Sequence, residues 1–216
     1  MTSKRGALLV LEGCDRAGKS TQVKKLVDAL NLLGISAEAR RFPDRTTVVG
    51  KLIDQFLSRN EELPFETVHL LFSSNRWECS TEIIKTLNSG ITLVVDRYAA
   101  SGAAYTAATT GRDLFWCREP DRGLPQPDLV ALLEVDTKSQ MLRSDWGKER
   151  FDCNQIQQKV AANLRLLMDE TWVAIDGNDD LEKIHNNLVT LALAAIDRAK
   201  NQPVKMLYSK EPLPLY

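Results

Sequence analysis

Residues 13–21 read Gly-Cys-Asp-Arg-Ala-Gly-Lys-Ser-Thr and match the pattern G-x-x-x-x-G-K-[ST] in full. The apolar run 7–11 precedes the motif and a helical pattern follows it, which is the strand–loop–helix context that a phosphate-binding loop requires. Gly13 and Gly18 permit a tight turn whose N–H groups point inward, and the following helix adds its N-terminal dipole. The stretch therefore predicts a polyphosphate site.

Several side chains of this loop are candidates for chemistry. Lys19 is placed to reach the β- and γ-phosphates of a nucleotide, and the Ser20 hydroxyl to ligate Mg²⁺. Arg16 can reach the γ-phosphate from within the loop and offset transition-state charge. Asp15 can orient an acceptor substrate or the metal. A solvated Asp–Arg pair is the alternative, which we discount because such a loop wraps closely around a phosphate. The predicted ATP-binding residues of the loop are Gly13, Ala17, Gly18, Lys19, Ser20 and Thr21.

Composition indicates an ordinary single domain. The 216 residues are 44% hydrophobic and 26% charged, with a net charge of −1, so no bulk field favours nucleic acid or an anionic membrane. Four cysteines without metal-like spacing suggest free thiols in a reducing compartment. No apolar run approaches the roughly 18 residues that a membrane span needs. We expect one domain over residues 1–216, cytoplasmic, with no nucleic-acid or membrane partner.

Strand and helix patterns alternate along the chain, which predicts an α/β fold of the P-loop NTPase type, with a five-stranded, mostly parallel sheet and helices on both faces. The residues between 137 and 152 lack a clean apolar stripe and carry Arg143 and Arg150. A mobile lid that brings arginines over phosphates fits this segment, and a solvated charged loop fits it equally. The predicted strands are 7–12, 37–42, 91–96, 128–135 and 172–176, and the main predicted helices are 19–33, 47–59, 64–88, 99–108, 153–170 and 181–199.

Asp96 and Arg97 follow the apolar strand ending at Val95. Ligands of open α/β sheets collect at the carboxyl ends of the strands. Beside a phosphate-binding loop, an acidic residue there suits Mg²⁺, held directly or through water, and Arg97 suits a transferring phosphate. A strand-end salt bridge is the alternative, and we prefer the functional interpretation because the loop is present.

Weaker candidates come from helical spacing. Phe72 and Arg76 are four residues apart on a long predicted helix, as a base-binding face of an aromatic ring and a donor requires. Ser101 and Tyr105 have the same spacing, and Arg45 follows Phe42-Pro43-Asp44 in a loop suited to clamping a phosphate. Spacing alone favours a core phenylalanine and surface arginines.

With these residues assembled, the chain resembles the thymidylate kinase family, of the eukaryotic type with an arginine in the P-loop, over nearly its whole length. The phosphate-binding loop alone says only that nucleotides bind. Phe-Ser-x-Asn-Arg-Trp-Glu and Asp-Arg-Tyr-x-x-Ser-Gly are far more specific. The segments that carry the resemblance are 11–21, 41–43, 69–78, 94–102 and 123–128.

The resemblance implies a nucleoside monophosphate kinase that transfers the γ-phosphoryl group of ATP to dTMP, giving dTDP and ADP with Mg²⁺, in dTTP biosynthesis. It implies a homodimer packed through helices such as 64–89. Its implied catalytic residues are Asp15, Arg16, Lys19 and Arg97, and Ser20 and Asp96 would serve Mg²⁺. Arg143 and Arg150 would lie in the lid on the ATP side. The implied dTMP-binding residues are Asp15, Phe42, Arg45, Phe72, Arg76, Arg97, Ser101, Gly102, Tyr105, Phe151 and Gln157.

The chain departs from the family pattern at three positions. Phe151 stands where similar enzymes have a tyrosine that crowds the 2′ position of the sugar, Tyr105 stands where phenylalanine is expected, and Cys14 replaces an aliphatic or acidic residue.

The nearest alternative functions are those of another nucleoside monophosphate kinase or of a deoxynucleoside kinase. A regulatory GTPase would show an Asn-Lys-x-Asp motif, which the sequence lacks. An inactive nucleotide-binding module would be expected to lack Lys19, Arg16 or Arg97, and this sequence has all three.

Overall fold

A parallel five-stranded sheet forms the centre of the molecule. The computed structural model describes residues 4–136, 139–140, 150–151 and 153–209. The strand order is β2-β3-β1-β4-β5, and every neighbouring pair is parallel. The predicted five-stranded P-loop arrangement is confirmed, and all four pairings among the described strands are parallel. The strands are β1 (Leu8–Glu12), β2 (Ala37–Arg41), β3 (Thr92–Asp96), β4 (Leu129–Glu134) and β5 (Trp172–Asp176).

The helices connect these strands close to the predicted bounds. The helix predicted over 153–170 ends earlier, at Leu166. The connection over 109–127 is polar and turn-rich, which predicts irregular chain with a helical turn around 114–117. It contains a short helix at that turn and a 3₁₀ turn, Glu119–Asp121. The helices are α1 (Lys19–Leu32), α2 (Val48–Leu57), α3 (Phe65–Asn88), α4 (Ala99–Thr110), α5 (Leu114–Arg118), α6 (Asn154–Leu166) and α7 (Leu181–Ala199).

Helices cover both faces of the sheet, as predicted. Side chains alternate along β1, so Leu9 and Leu11 pack with α1 and α7, whereas Leu8 and Val10 pack on the opposite face with α3. Both sets are almost fully buried. Burial on two sides explains the continuous apolar strands that the sequence shows.

The register of β1 and β3 positions the site. Leu11 of β1 lies opposite Asp96 of β3. The loops that follow the two strands therefore leave the same carboxyl edge side by side, and Glu12 lies level with Arg97. This edge is where an open parallel sheet binds its ligands.

Candidate active site

The loop between β1 and α1 has the backbone that the motif predicts. Gly13 and Gly18 adopt φ angles of 146° and 91°, where glycine is favoured. A Cβ atom on Gly13 would lie 2.5 Å from the carbonyl oxygen of Leu133, so the loop also approaches β4 too closely for a side chain. Arg16 has a φ of 62°, unusual for a non-glycine residue. Such conformations cluster at functional sites.

The ammonium group of Lys19 folds back across this loop. Its Nζ donates a 2.6 Å hydrogen bond to the carbonyl oxygen of Cys14, and the side chain is buried. Burial, and then the nearby Arg97 guanidinium, lowers the pKa of Lys19 to about 8. The Lys19 ammonium group is therefore held at the loop, and a phosphate oxygen bound there would compensate for the water that the group has lost.

Ser20 and Asp96 meet at the start of α1. The Ser20 hydroxyl donates to Oδ2 of Asp96, while Oδ1 of Asp96 is buried and has no hydrogen-bond partner among the residues that the structure describes. A hydroxyl beside a carboxylate oxygen that lacks a partner is an oxygen donor set suited to Mg²⁺. The structure brings together the two residues predicted to serve Mg²⁺, and their chemistry fits this ion. Among the described residues, no group of three or more His, Cys, Asp or Glu side chains forms a metal cluster.

Asp15 lies at the centre of a hydrogen-bond network between the loop and its neighbours. Its Oδ1 accepts from Arg97 at 2.5 Å, and its Oδ2 accepts from Tyr105 at 2.8 Å and from Gln157 at 2.6 Å. Burial alone would raise the pKa of the Asp15 carboxyl, but Arg97 and Lys19 outweigh burial and hold the pKa below its usual value. The network therefore keeps a carboxylate fixed beside the phosphate-binding loop.

A pocket opens next to Asp15 between the sheet edge, α3 and α4. Every predicted dTMP-binding residue except Gln157 lines this pocket. Gln157 stands behind the pocket wall, where its amide bonds Asp15 and the carbonyl oxygen of Phe151. The predicted residues that line the pocket are Asp15, Phe42, Arg45, Phe72, Arg76, Arg97, Ser101, Gly102, Tyr105 and Phe151.

Arg76 is not the surface residue that its spacing alone favours. It is 1% exposed and forms a bidentate ion pair with the fully buried Asp121, at 3.0 and 2.7 Å. Ser73 also donates to Asp121, at 2.8 Å. A Cβ atom on Gly102 would lie 2.7 Å from Nη2 of Arg76. The Asp121 carboxylate therefore fixes the guanidinium of Arg76, and position 102 leaves room for that guanidinium only as glycine.

Arg45 reaches the pocket from a loop that α3 holds in place. Asn75 accepts from the backbone N–H of Asp44 at 2.7 Å. The Arg45 guanidinium donates to Asp54 of α2 at 2.6 Å and lines the pocket. Arg45 therefore brings a second positive charge to the pocket wall, separate from Arg97, which contacts Gly13 and Asp15.

The segment predicted as a lid over 137–152, with Arg143, lies mostly outside the described residues. Arg150 is described. Its guanidinium donates to the carbonyl oxygen of Phe56 at 3.0 Å and to Glu62 at 2.7 Å, and it stacks over the Phe56 ring. These contacts join it to α2 and the following loop. A role for Arg150 on the ATP side stays a prediction.

Sequence reasoning missed two buried carboxylates at this site, Glu12 and Asp121. Glu12 ends an otherwise apolar strand, which is a signal in itself, because a charge in that position needs partners. Asp121 lies in the connection predicted as irregular, and no periodicity marks it. His69 is also buried in the pocket wall, where its Nδ1 lies 2.8 Å from the Thr106 hydroxyl.

Comparison with known proteins agrees with this geometry. A family model described as thymidylate kinase matches residues 11–188. The chain belongs to the thymidylate kinase family. It is 46% identical to the thymidylate kinase of Danio rerio, over 96% of this chain and all of that protein, and 43% identical to that of Homo sapiens over the same shares. The thymidylate kinase structure from Candida albicans superposes with a TM-score of 0.86, at 33% identity, covering 95% of this chain and 99% of that one.

Membership in the thymidylate kinase family confirms the predicted fold and the predicted class of enzyme. The chain is a nucleotide-binding transferase, a kinase for nucleoside monophosphates in dTTP biosynthesis. Within the part of the chain that the structure describes, no helix has both the length and the apolar character to span a membrane.

Proposed function

We propose that this chain transfers the γ-phosphoryl group of ATP to the phosphate of dTMP, with Mg²⁺, producing dTDP and ADP. One observation carries the proposal: the pocket of Phe72 and Arg76 opens beside Asp15 and Arg97, directly against the phosphate-binding loop. A donor nucleotide and an acceptor nucleotide can therefore lie with their phosphates facing each other at the edge of the sheet.

The loop residues serve the ATP side. The backbone of Gly13, Ala17, Gly18 and Thr21 surrounds the donor phosphates, and Lys19 neutralises their oxygens. Arg16 offsets the charge of the transferring group. Mg²⁺, held at Ser20 and Asp96, would neutralise phosphate charge. Asp96 offers it a buried carboxylate oxygen that lacks a hydrogen-bond partner.

The pocket residues serve the dTMP side. Arg97 and Arg45 bind the acceptor phosphate from opposite sides, and the Asp15 carboxylate accepts a hydrogen bond from the 3′-hydroxyl of the sugar. The thymine ring stacks on Phe72, and Arg76, held by Asp121, donates to a carbonyl oxygen of the base. Phe42, Ser101, Gly102, Tyr105 and Phe151 enclose the nucleoside, and Gln157 supports Asp15 and the Phe151 backbone.

This arrangement performs phosphoryl transfer without a covalent nucleophile of the protein. The reaction needs in-line positioning of the two nucleotides and neutralisation of charge on the transferring oxygens. The proposal places cationic groups from three separate segments around the phosphates: Arg16 and Lys19 of the loop, Arg45 and Arg97. Closure of the segment 137–152, with Arg143 and Arg150, would complete the site and exclude water.

Assembly and location are part of the proposal. We place the dimer contact on α3, where Leu70 and Trp77 are 51% and 41% exposed although they are large and apolar. All four cysteines are free, which supports a reducing, cytoplasmic location. Sedimentation of the purified protein, compared with a variant carrying Leu70→Glu, tests the dimer contact.

The substrate is tested by a panel of monophosphates: dTMP, dUMP, UMP, dCMP, AMP and GMP, with ATP and Mg²⁺ and ADP release as the readout. We expect the highest kcat/KM with dTMP. The panel is broad because the Candida albicans relative is described as having broad substrate specificity. Activity led by another nucleotide would retain the kinase fold and overturn the assignment of Phe72 and Arg76 to thymine.

A further inference from the structure

Glu12 is a fully buried carboxylate at the carboxyl end of β1, and the mechanism described above does not use it. Successive side chains of a strand point to opposite faces, so those of Leu8, Val10 and Glu12 lie on the sheet face that carries α3 and α4. Because Leu11 lies opposite Asp96 in the β1–β3 register, Glu12 reaches the start of the loop that carries Arg97.

Within the described part of the chain, the hydrogen-bond partners of Glu12 come from that loop and from the first turn of α4. Its Oε1 accepts from the backbone N–H groups of Tyr98 at 2.9 Å and Ser101 at 3.1 Å. Its Oε2 accepts from the Ser101 hydroxyl at 2.5 Å. Tyr98, the N-cap residue of α4, makes no capping hydrogen bond with its own side chain. Glu12 thus caps α4 from a neighbouring strand, where a negative charge also meets the favourable end of the helix dipole.

This cap holds a strained residue. Arg97 has a φ of 66°, in the left-handed region that side chains other than glycine rarely adopt. Its backbone N–H donates to the carbonyl oxygen of Leu11 at 3.0 Å, and the next N–H, that of Tyr98, donates to Glu12. Such a conformation is energetically unfavourable and persists where neighbouring contacts fix it. Leu11 and Glu12 of β1 therefore accept hydrogen bonds from the two N–H groups that flank the α-carbon of Arg97.

The side chain of Arg97 is connected to the same carboxylate through Ser101. The Ser101 hydroxyl donates its hydrogen to Glu12, so its lone pairs remain available, and Arg97 Nη1 donates to them at 3.1 Å. The guanidinium then continues to Gly13 and Asp15 of the phosphate-binding loop. A chain of hydrogen bonds therefore runs from Glu12 to the proposed acceptor-phosphate site.

We infer that Glu12 is a positioning residue for phosphoryl transfer, which acts through Ser101 and the α4 terminus to aim Arg97 at the phosphate of the acceptor nucleotide. The inference rests on the proposed function, because it assigns the acceptor phosphate to Arg97. It predicts that Glu12 controls recognition of the phosphate group and leaves recognition of the base and sugar unchanged.

The test compares dTMP with thymidine, which lacks the phosphate, in calorimetric binding to Glu12→Gln. Glutamine retains the size of the side chain, and its carbonyl can keep both backbone hydrogen bonds, but its NH₂ group faces the Ser101 hydroxyl and reverses that bond. We expect dTMP affinity to fall about tenfold and thymidine affinity to change less than twofold. Loss of a nearby negative charge, acting alone, would tighten binding of the anion, so a weaker complex isolates the positioning effect.

Kinetics and matched variants complete the experiment. In Glu12→Gln the KM for ATP should stay within twofold while the KM for dTMP rises. The effect of Glu12→Gln should also be much smaller in a Ser101→Ala background, because both substitutions break the same chain of hydrogen bonds. Ile184→Val, in the core on the opposite face, controls for lost stability and should not change dTMP affinity. If Glu12→Gln does not fold, Glu12→Asp retains the charge, withdraws the carboxylate by about one C–C bond and should weaken dTMP binding similarly.

Unchanged or tighter dTMP binding by the Glu12 variants would overturn the inference, and so would equal weakening of dTMP and thymidine. Failure of the unmodified protein to bind or phosphorylate dTMP would instead overturn the proposed function. The two failures are therefore distinguished by the unmodified protein in the same assay.

Discussion

The hydroxyl of Tyr105 donates a 2.8 Å hydrogen bond to Oδ2 of Asp15, and the two residues come from helix α4 and the phosphate-binding loop. Gln157 of α6 donates to the same oxygen at 2.6 Å. Phenylalanine, the residue expected here from the family pattern, cannot make the first of these bonds. Asp15 is therefore held in this chain by an extra contact between its loop and the wall of the acceptor pocket.

Tyr105→Phe should weaken the recognition of the substrate 3′-hydroxyl by Asp15. A hydrogen bond to a charged group contributes about 1.5–3 kcal/mol, and Gln157 and Arg97 remain to compensate part of the loss. We expect the preference in kcat/KM for dTMP over its 3′-deoxy analogue to fall about threefold to tenfold. Steady-state kinetics with both nucleotides measures this ratio. An unchanged ratio would show that Tyr105 does not position Asp15 for the sugar.

Asp121→Asn should destabilise the protein strongly, because it leaves the buried guanidinium of Arg76 without a carboxylate. Breaking a buried ion pair typically costs about 3–5 kcal/mol. Glu66→Gln is the matched control, since its pair with Arg112 has both side chains nearly half exposed to solvent and should contribute little to stability. Urea unfolding of the two variants gives the comparison. Similar small losses in both would contradict the structural role of Asp121.

His69 should make stability depend on pH on the acidic side. Burial, and after it the positive charge of Arg76, lowers the pKa of His69 to about 4. As the pH falls below about 6.5, the unfolded chain takes up a proton that the folded protein does not bind, so stability decreases until about pH 4. The free energy of unfolding should drop by up to about 2 kcal/mol from pH 7.5 to 5 because of this group. His69→Gln, which retains a partner for Thr106, should show a smaller drop. An equal drop in both proteins would remove His69 as the cause.

Phe151→Tyr should sharpen the choice of deoxyribose over ribose. The Phe151 ring lines the pocket and packs against Tyr105, Phe56 and Phe65, so its position is well defined. A hydroxyl added to this ring would crowd the 2′ position of a bound sugar. We expect the ratio of kcat/KM for dUMP over UMP to rise. A ratio that does not change would show that position 151 is not the discriminator.

The sequence predicted those parts of the structure that depend on local pattern. The phosphate-binding loop, the strand ending at Asp96 and the five parallel strands were all visible in spacing and apolar runs. The clustering of Phe72, Gly102 and Tyr105 in one pocket followed from family resemblance, because spacing alone favoured core and surface roles. The partners of Arg76 and Arg97 could not be predicted. Asp121 lies 45 residues beyond Arg76, in a 3₁₀ turn that no periodicity marks, and Glu12 meets Ser101 only through the β1–β3 register.

The most direct measurement is rapid-quench quantification of dTDP formed from dTMP and ATP-Mg²⁺ by the unmodified protein and by Arg16→Ala, with dTMP affinity measured in parallel. We predict that the unmodified protein forms dTDP, and that Arg16→Ala forms it about 10³-fold or more slowly, the scale of an arginine that offsets transition-state charge. Its affinity for dTMP should be nearly unchanged, because the proposed acceptor contacts come from other residues. Absence of dTDP from the unmodified protein, or a near-normal rate with Arg16→Ala, would contradict phosphoryl transfer to dTMP by this loop.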